Sequence, residues 1–142
     1  MTTTKSYDYL NRLASISSVG EASSASPISF NYNYNNANQR VRNTQADGSY
    51  WIYQYDSLGQ VTSGKKYWSD GTPVAGQQFE YVDDDIGNRT STNAGGNSAG
   101  SDLRLAYYTN NTLNQITSRD FPGTNDVLGA AFATNGVKRG QS

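Results

Sequence analysis

Cysteine and histidine are both absent from this chain of 142 residues. Without cysteine there is no disulfide framework and no thiol chemistry, and the redox compartment stays open. With neither residue, Ser-His-Asp triads, Cys-His pairs and the usual zinc sites are excluded by composition. Glutamate is nearly missing too, since Glu21 and Glu80 stand alone, so an enzyme would have to work with aspartates. The formal charge of −1 makes no long-range field and the Lys and Arg are scattered, so neither a nucleic acid nor an anionic membrane is drawn in. No apolar run approaches the length of a bilayer span, and the opening MTTTKSYDYL lacks the apolar segment of a signal peptide.

Aliphatic residues are sparse, but aromatics are not. Hydrophobic residues make up 35% of the chain, and that figure includes eleven tyrosines, while aromatics reach 12% beside 14 glycines. A polar chain poor in aromatics would be disordered. Aromatic and β-branched side chains suit a pleated surface, and Asn, Asp and Gly suit turns, so this composition predicts short strands joined by tight turns within one ordinary domain.

The stretch YQYDSLGQVTS (53–63) carries the unit that recurs. Aligned on its acid and its glycine, it has four more copies. The glycine place holds Asn11, Asn38, Gly59, Gly87 and Asn114; three residues earlier stand Asp8, Asn35, Asp56, Asp84 and Asn111. Just before the Gly/Asn is always an apolar residue: Leu10, Ala37, Leu58, Ile86 or Leu113. A short hairpin loop built on a type I turn ends in the left-handed region, which Gly, or Asn at some cost, occupies readily. At its start, the side-chain oxygen of Asp or Asn accepts from a backbone N–H two residues on. These ten positions are therefore assigned as structural turn residues.

Counting back from the turn, alternate positions are aromatic: Tyr7, Tyr34 and Tyr55, then Tyr32, Tyr53, Tyr81 and Tyr108, then Phe30, Trp51 and Phe79. The positions between are mostly polar. A strand with this period of two presents one aromatic and one wettable face, and the polar β-formers after each turn suit a returning strand. The Gly/Asn places recur at intervals of 27, 21, 28 and 27 residues. The variation falls in the connections ADGS (46–49), SDGTPVAG (69–76) and NAGGNSAGSD (93–102), read here as turns and loops on one side of the array.

The unit Tyr-x-Tyr-Asp-x-Leu-Gly resembles the YD repeat of the RHS family, which includes bacterial polymorphic toxins, shell subunits of insecticidal toxin complexes and the teneurins. The resemblance covers about residues 3 to 120. The literal pair stands at Tyr7-Asp8 and Tyr55-Asp56, while YNYNNANQR, YVDDDIGNR and YTNNTLNQI are degenerate copies. It implies hairpins that spiral side by side into a curved sheet closing as a hollow shell, in bacteria often around a toxic C-terminal segment. It also implies an extracellular or cell-surface setting. The proline-rich self-cleavage motif of many bacterial members and a recognisable toxin segment are both lacking.

Candidate sites are few. Asp83, Asp84 and Asp85 form the one carboxylate cluster, a weak metal candidate. An EF-hand loop has its glycine sixth and a glutamate twelfth, whereas counting from Asp83 puts Gly87 fifth and Ala94 twelfth, so a solvated turn is the better reading. No spacing nominates a glycosidase pair. Aromatic faces suit carbohydrate, and Tyr67 and Trp68, outside the repeat unit, are the ligand-stacking candidates; Trp51 falls in the repeat pattern and is assigned to the core. Asn88 and Asn110 open Asn-x-Thr triplets, but both lie in repeat turns. No catalytic residue and no cofactor are expected.

The resulting expectation is an all-β array of five antiparallel hairpins over residues 1–120, forming a curved sheet or part of a β-shell. Residues 121–142 are expected to be an irregular tail or an incomplete further repeat. Expected partners are neighbouring repeats or copies of the chain through strand edges, an enclosed toxin segment, or a glycan, with no nucleic acid and no membrane span.

Overall fold

A computed structural model describes residues 1–21 and 27–120. Each repeat unit folds as a hairpin because its turn is fixed locally by five residues. At the first, the Asp8 N–H donates to the Arg12 carbonyl and the Asn11 N–H donates to the Asp8 carbonyl, each at 2.9 Å. Asp8 Oδ1 meanwhile accepts from the N–H groups of Leu10 and Arg12 at 3.0 and 2.9 Å. The same bonds recur at Asn35, Asp56, Asp84 and Asn111. The left-handed place has φ near 60° at Asn11, Asn38 and Asn114, and 84° and 88° at Gly59 and Gly87. An extra residue then enters one strand: Ser6 pairs with Ser15 but Tyr7 with Leu13, the bulge expected beside such a turn.

Ten strands result: β1 (Thr2–Tyr7), β2 (Leu13–Val19), β3 (Ile28–Tyr34), β4 (Arg40–Gln45), β5 (Tyr50–Tyr55), β6 (Val61–Tyr67), β7 (Pro73–Asp83), β8 (Arg89–Gly95), β9 (Leu103–Asn110) and β10 (Ile116–Arg119). They lie in sequence order in one sheet, every neighbour antiparallel. The fold is an all-β, open, curved sheet with no helix among the described residues.

Two expectations need correction. The connections, read as turns and loops, are all three tight turns built like the repeat turns, and the third is shorter than its reading. At Gln45–Ser49, Trp68–Thr72 and Asn97–Ser101 the same pair of backbone bonds closes each turn, with Gly48, Gly71 and Gly100 at φ of 80°, 89° and 78°. Asn93–Gly95, read with the third loop, belong to β8. Among the described residues these three turns and the five repeat turns thus share one device, with the length variation taken up partly in β7, the longest described strand at 11 residues.

The second correction concerns the core. Among the described residues the only buried hydrophobic one is Ala106, and Trp51 is half-buried, not core. Among the described residues one layer of strands has no second layer to cover its aromatic face, and the rings cover one another: Trp51 stacks on Tyr53 and on Phe79, centroids 6.2 Å apart in both pairs. The most buried side chains are polar. Gln78, 1% exposed, donates through Nε2 to the carbonyls of Lys66 and Val74 at 2.7 and 3.2 Å, filling the space beside the β6–β7 turn.

Candidate functional site

Register assigns the faces. Tyr53 pairs with Gly64, Gly64 with Phe79, Tyr81 with Thr92 and Thr92 with Ala106, so these residues share the aromatic face. Ile52, Lys65, Gln78, Glu80 and Asn93 occupy the opposite one. Several arginines lie over aromatic rings. Arg40 lies 4.0 Å over the Tyr32 ring, Arg89 4.3 Å over Tyr81 and Arg12 4.7 Å over Tyr34, and on the other face Arg42 lies 3.6 Å over Tyr50. A guanidinium over a ring replaces part of the cover that a second layer would give. The signal was legible: Arg12, Arg40 and Arg89 each come just after a repeat turn.

A groove of about 520 Å³ runs along the aromatic face between Trp51, Tyr53, Phe79 and Tyr81, with Arg40, Tyr55 and Val61 at its margin. Gly64 forms part of its wall; a Cβ added there would stand 3.5 Å from the Tyr53 ring. Burial among these rings pushes the Tyr53 hydroxyl pKa up, against the pull of Arg40. Of the stacking candidates, Tyr67 is already packed on Tyr50, centroids 5.5 Å apart, whereas Trp68 is exposed beside its turn. The two are not brought together with the groove.

The aspartate cluster is divided among separate tasks. Asp83 accepts from Arg89 Nε at 2.6 Å. Asp84 is held by the Asn88 side-chain amide and by the N–H groups of Asn88 and Ile86, and these bonds lower its pKa. Asp85 is exposed on the turn. Among the described residues no three acids converge as metal ligands.

What the chain builds most consistently is the junction between hairpins. The residue just before a repeat turn reaches back to the preceding hairpin: the Tyr34 hydroxyl donates to the Leu13 carbonyl at 2.9 Å, Tyr55 to that of Arg40 at 2.7 Å, and Asn110 Nδ2 to that of Arg89 at 2.9 Å. All three acceptors hold the same place in their own units. Asp83 is the exception, because an ionised carboxylate has no proton to donate, and it turns to Arg89 instead. This bond gives the tyrosine of the Tyr-Asp pair a role that pattern alone did not reveal.

A second contact runs along the turns. The residue after each left-handed place lies against the left-handed residue of the next hairpin. Arg12 Nη1 donates to Asn38 Oδ1 at 2.8 Å, and Asn88 Nδ2 to Asn114 Oδ1 at 3.2 Å. Where the neighbour is glycine, Gln39 Nε2 and Gln60 Nε2 lie 3.4 and 3.9 Å from where a Cβ of Gly59 and of Gly87 would be.

No protein-family profile and no curated protein matches the chain. Solved structures do. The crystal structures of TcdB2-TccC3-Cdc42 and of TcdB2-TccC3-TEV each match it with a TM-score of 0.68 at 19% identity, over 82% of this chain. The chain spans 6% of the length of those chains. Its fold of laterally stacked antiparallel hairpins is thus similar to that of part of TcdB2-TccC3, and it is the fold that the resemblance carried by the YD units implies.

Proposed function

We propose that this chain is a segment of wall: a run of RHS-type repeats that contributes to a β-shell enclosing or scaffolding a toxin or effector, or to a larger extracellular or cell-surface structure. The observation that carries the reading is the repeated junction, in which the same backbone acceptor receives a side-chain donor from the next hairpin at three places. Side chains that in an enzyme would converge on a substrate are spent here on holding hairpin to hairpin. The carboxylates serve turns and ion pairs, which supports a non-enzymatic role. Neighbouring repeats, further copies and an enclosed segment are the partners this reading implies. Among the described residues, no helix is long and apolar enough to cross a membrane.

A second reading, a carbohydrate-binding or adhesion module, is favoured by the aromatic groove beside Trp51. Tryptophan fluorescence during titration with a panel of glycans separates the two. A wall gives no saturable change. A saturable change abolished by Trp51→Ala replaces the wall with a binder.

A further inference from the structure

One position of the repeat is apolar every time and has no task within its own hairpin. The third residue of each repeat turn is Leu10, Ala37, Leu58, Ile86 or Leu113. All five are exposed, the four larger ones by 52% to 73%. The turn itself does not ask for them. Gln45–Ser49, Trp68–Thr72 and Asn97–Ser101 close with the same backbone bonds, yet they hold Asp47, Asp70 and Ala99 at that position. Asp47 and Asp70 accept there from the N–H two residues on, whereas in the repeat turns the opening Asp or Asn already accepts from that N–H. Successive repeat turns are two strands apart, so the five side chains form a row along one rim of the sheet at steps of roughly 10 Å. Each of these turns is internal, and β2 and β10 both end at the opposite rim, so the row does not depend on where the sheet stops.

We propose that this rim is a homodimer interface, in which two copies of the chain meet rim to rim about a two-fold axis at the turn Asp56–Gln60. The axis sets Leu58 against Leu58, Ala37 against Ile86 and Leu10 against Leu113 of the second copy. Spacing and charge select this occupant. An identical rim has the same step between its apolar side chains, so each of the five meets a counterpart. The turn holding Asp84 and Asp85 then faces Asn35–Gln39, which contains no acid. Asp8, paired with Arg12 at 2.7 Å, faces the uncharged turn Asn111–Gln115. A parallel order would set Asp84 and Asp85 against themselves. Size agrees, because Ala37, the smallest of the five, falls opposite Ile86. Near the axis the Asp56 carboxylate is held by the N–H groups of Leu58 and Gln60. Five turns of five residues furnish about 25 residues a side, within the roughly 20–30 of a stable interface. The contact is isologous, so association closes at two copies. The proposal rests on the wall reading and adds a second course to the wall.

The cysteine-free chain makes the test direct. The parent is followed by sedimentation over a range of concentrations, while Leu58→Cys, Ala37→Cys and Ile86→Cys are oxidised mildly, the last two alone and mixed. The expected result is a monomer–dimer equilibrium that stops at two copies, with Leu58→Cys linking to itself and Ala37→Cys linking to Ile86→Cys faster than either links to itself. Leu58→Asp should weaken dimerisation at least about tenfold, since each copy loses a leucine from the contact. At concentrations where both are monomers it should melt within about 2 °C of the parent, because Asp47 and Asp70 already stand at that position of the same turn. A parent that is a monomer at every concentration, a parent that grows past the dimer, or a Leu58→Asp variant that dimerises as the parent does overturns the rim contact. So does Ala37→Cys linking to itself as readily as to Ile86→Cys. The wall reading itself falls only to a saturable glycan response, so the two failures are distinguishable.

Discussion

Replacing Gly87 isolates the backbone requirement on which the repeat depends. Its φ is 88°, in the region that side chains resist, and a Cβ there would find only the end of the Gln60 side chain, 3.9 Å away. No packing clash therefore confuses the result. Asparagine already occupies the equivalent place at Asn11, Asn38 and Asn114 with φ near 60°, so Gly87→Asn should be nearly neutral after a small backbone adjustment. Gly87→Ala should cost about 1–2 kcal/mol, the penalty of a Cβ in the left-handed region. Gly87→Val adds a branch at Cβ and should reach about 3 kcal/mol. At roughly 4 °C per kcal/mol for a domain of this size, valine should lower the melting temperature by roughly 12 °C and alanine by about half that. Thermal unfolding followed by far-UV circular dichroism reads the series. A valine variant melting within about 2 °C of the parent, or an asparagine variant falling as far as valine, refutes the turn argument.

Acid should weaken the sheet through its turns. Burial works against ionisation of Asp8, but the Arg12 N–H, the Arg12 side chain and the Leu10 N–H outweigh it and lower its pKa; the Asn88 side chain and N–H do the same for Asp84. A carboxyl depressed in the folded state stabilises above its ordinary value of 3.8 and loses that contribution as pH falls through the folded value. Melting temperature should therefore drop below about pH 4, and less so in Asp8→Asn/Asp84→Asn, because Asn35 and Asn111 hold the same turn without a titrating group. Tyr55→Phe removes the donor to the Arg40 carbonyl and should cost about 0.5–1.5 kcal/mol in urea unfolding; no loss would mean that the bond contributes nothing between hairpins. Gln78→Leu leaves the Lys66 and Val74 carbonyls without their donor and should cost about 1–3 kcal/mol by the same measurement, with a parental value counting against its role as a plug.

The sequence by itself determined the turns and the alternation. A turn is closed within five residues, so Asp8 and Asn11, or Asp56 and Gly59, announce it wherever they stand, and a period of two assigns Trp51, Tyr53 and Phe79 to one face. The residue types also excluded His and Cys chemistry outright. Tertiary structure decided whatever depends on neighbours from different hairpins. The Tyr55 hydroxyl meets the Arg40 carbonyl 15 residues away, and the Arg12 guanidinium meets Asn38 across 26; no local rule fixes such distances until the register of the whole sheet is set. For the same reason an aromatic period could not tell a buried core from a half-exposed face. That outcome depends on whether a second layer covers the rings, and in this sheet it is the rings themselves, with the arginines above several of them, that exclude part of the water.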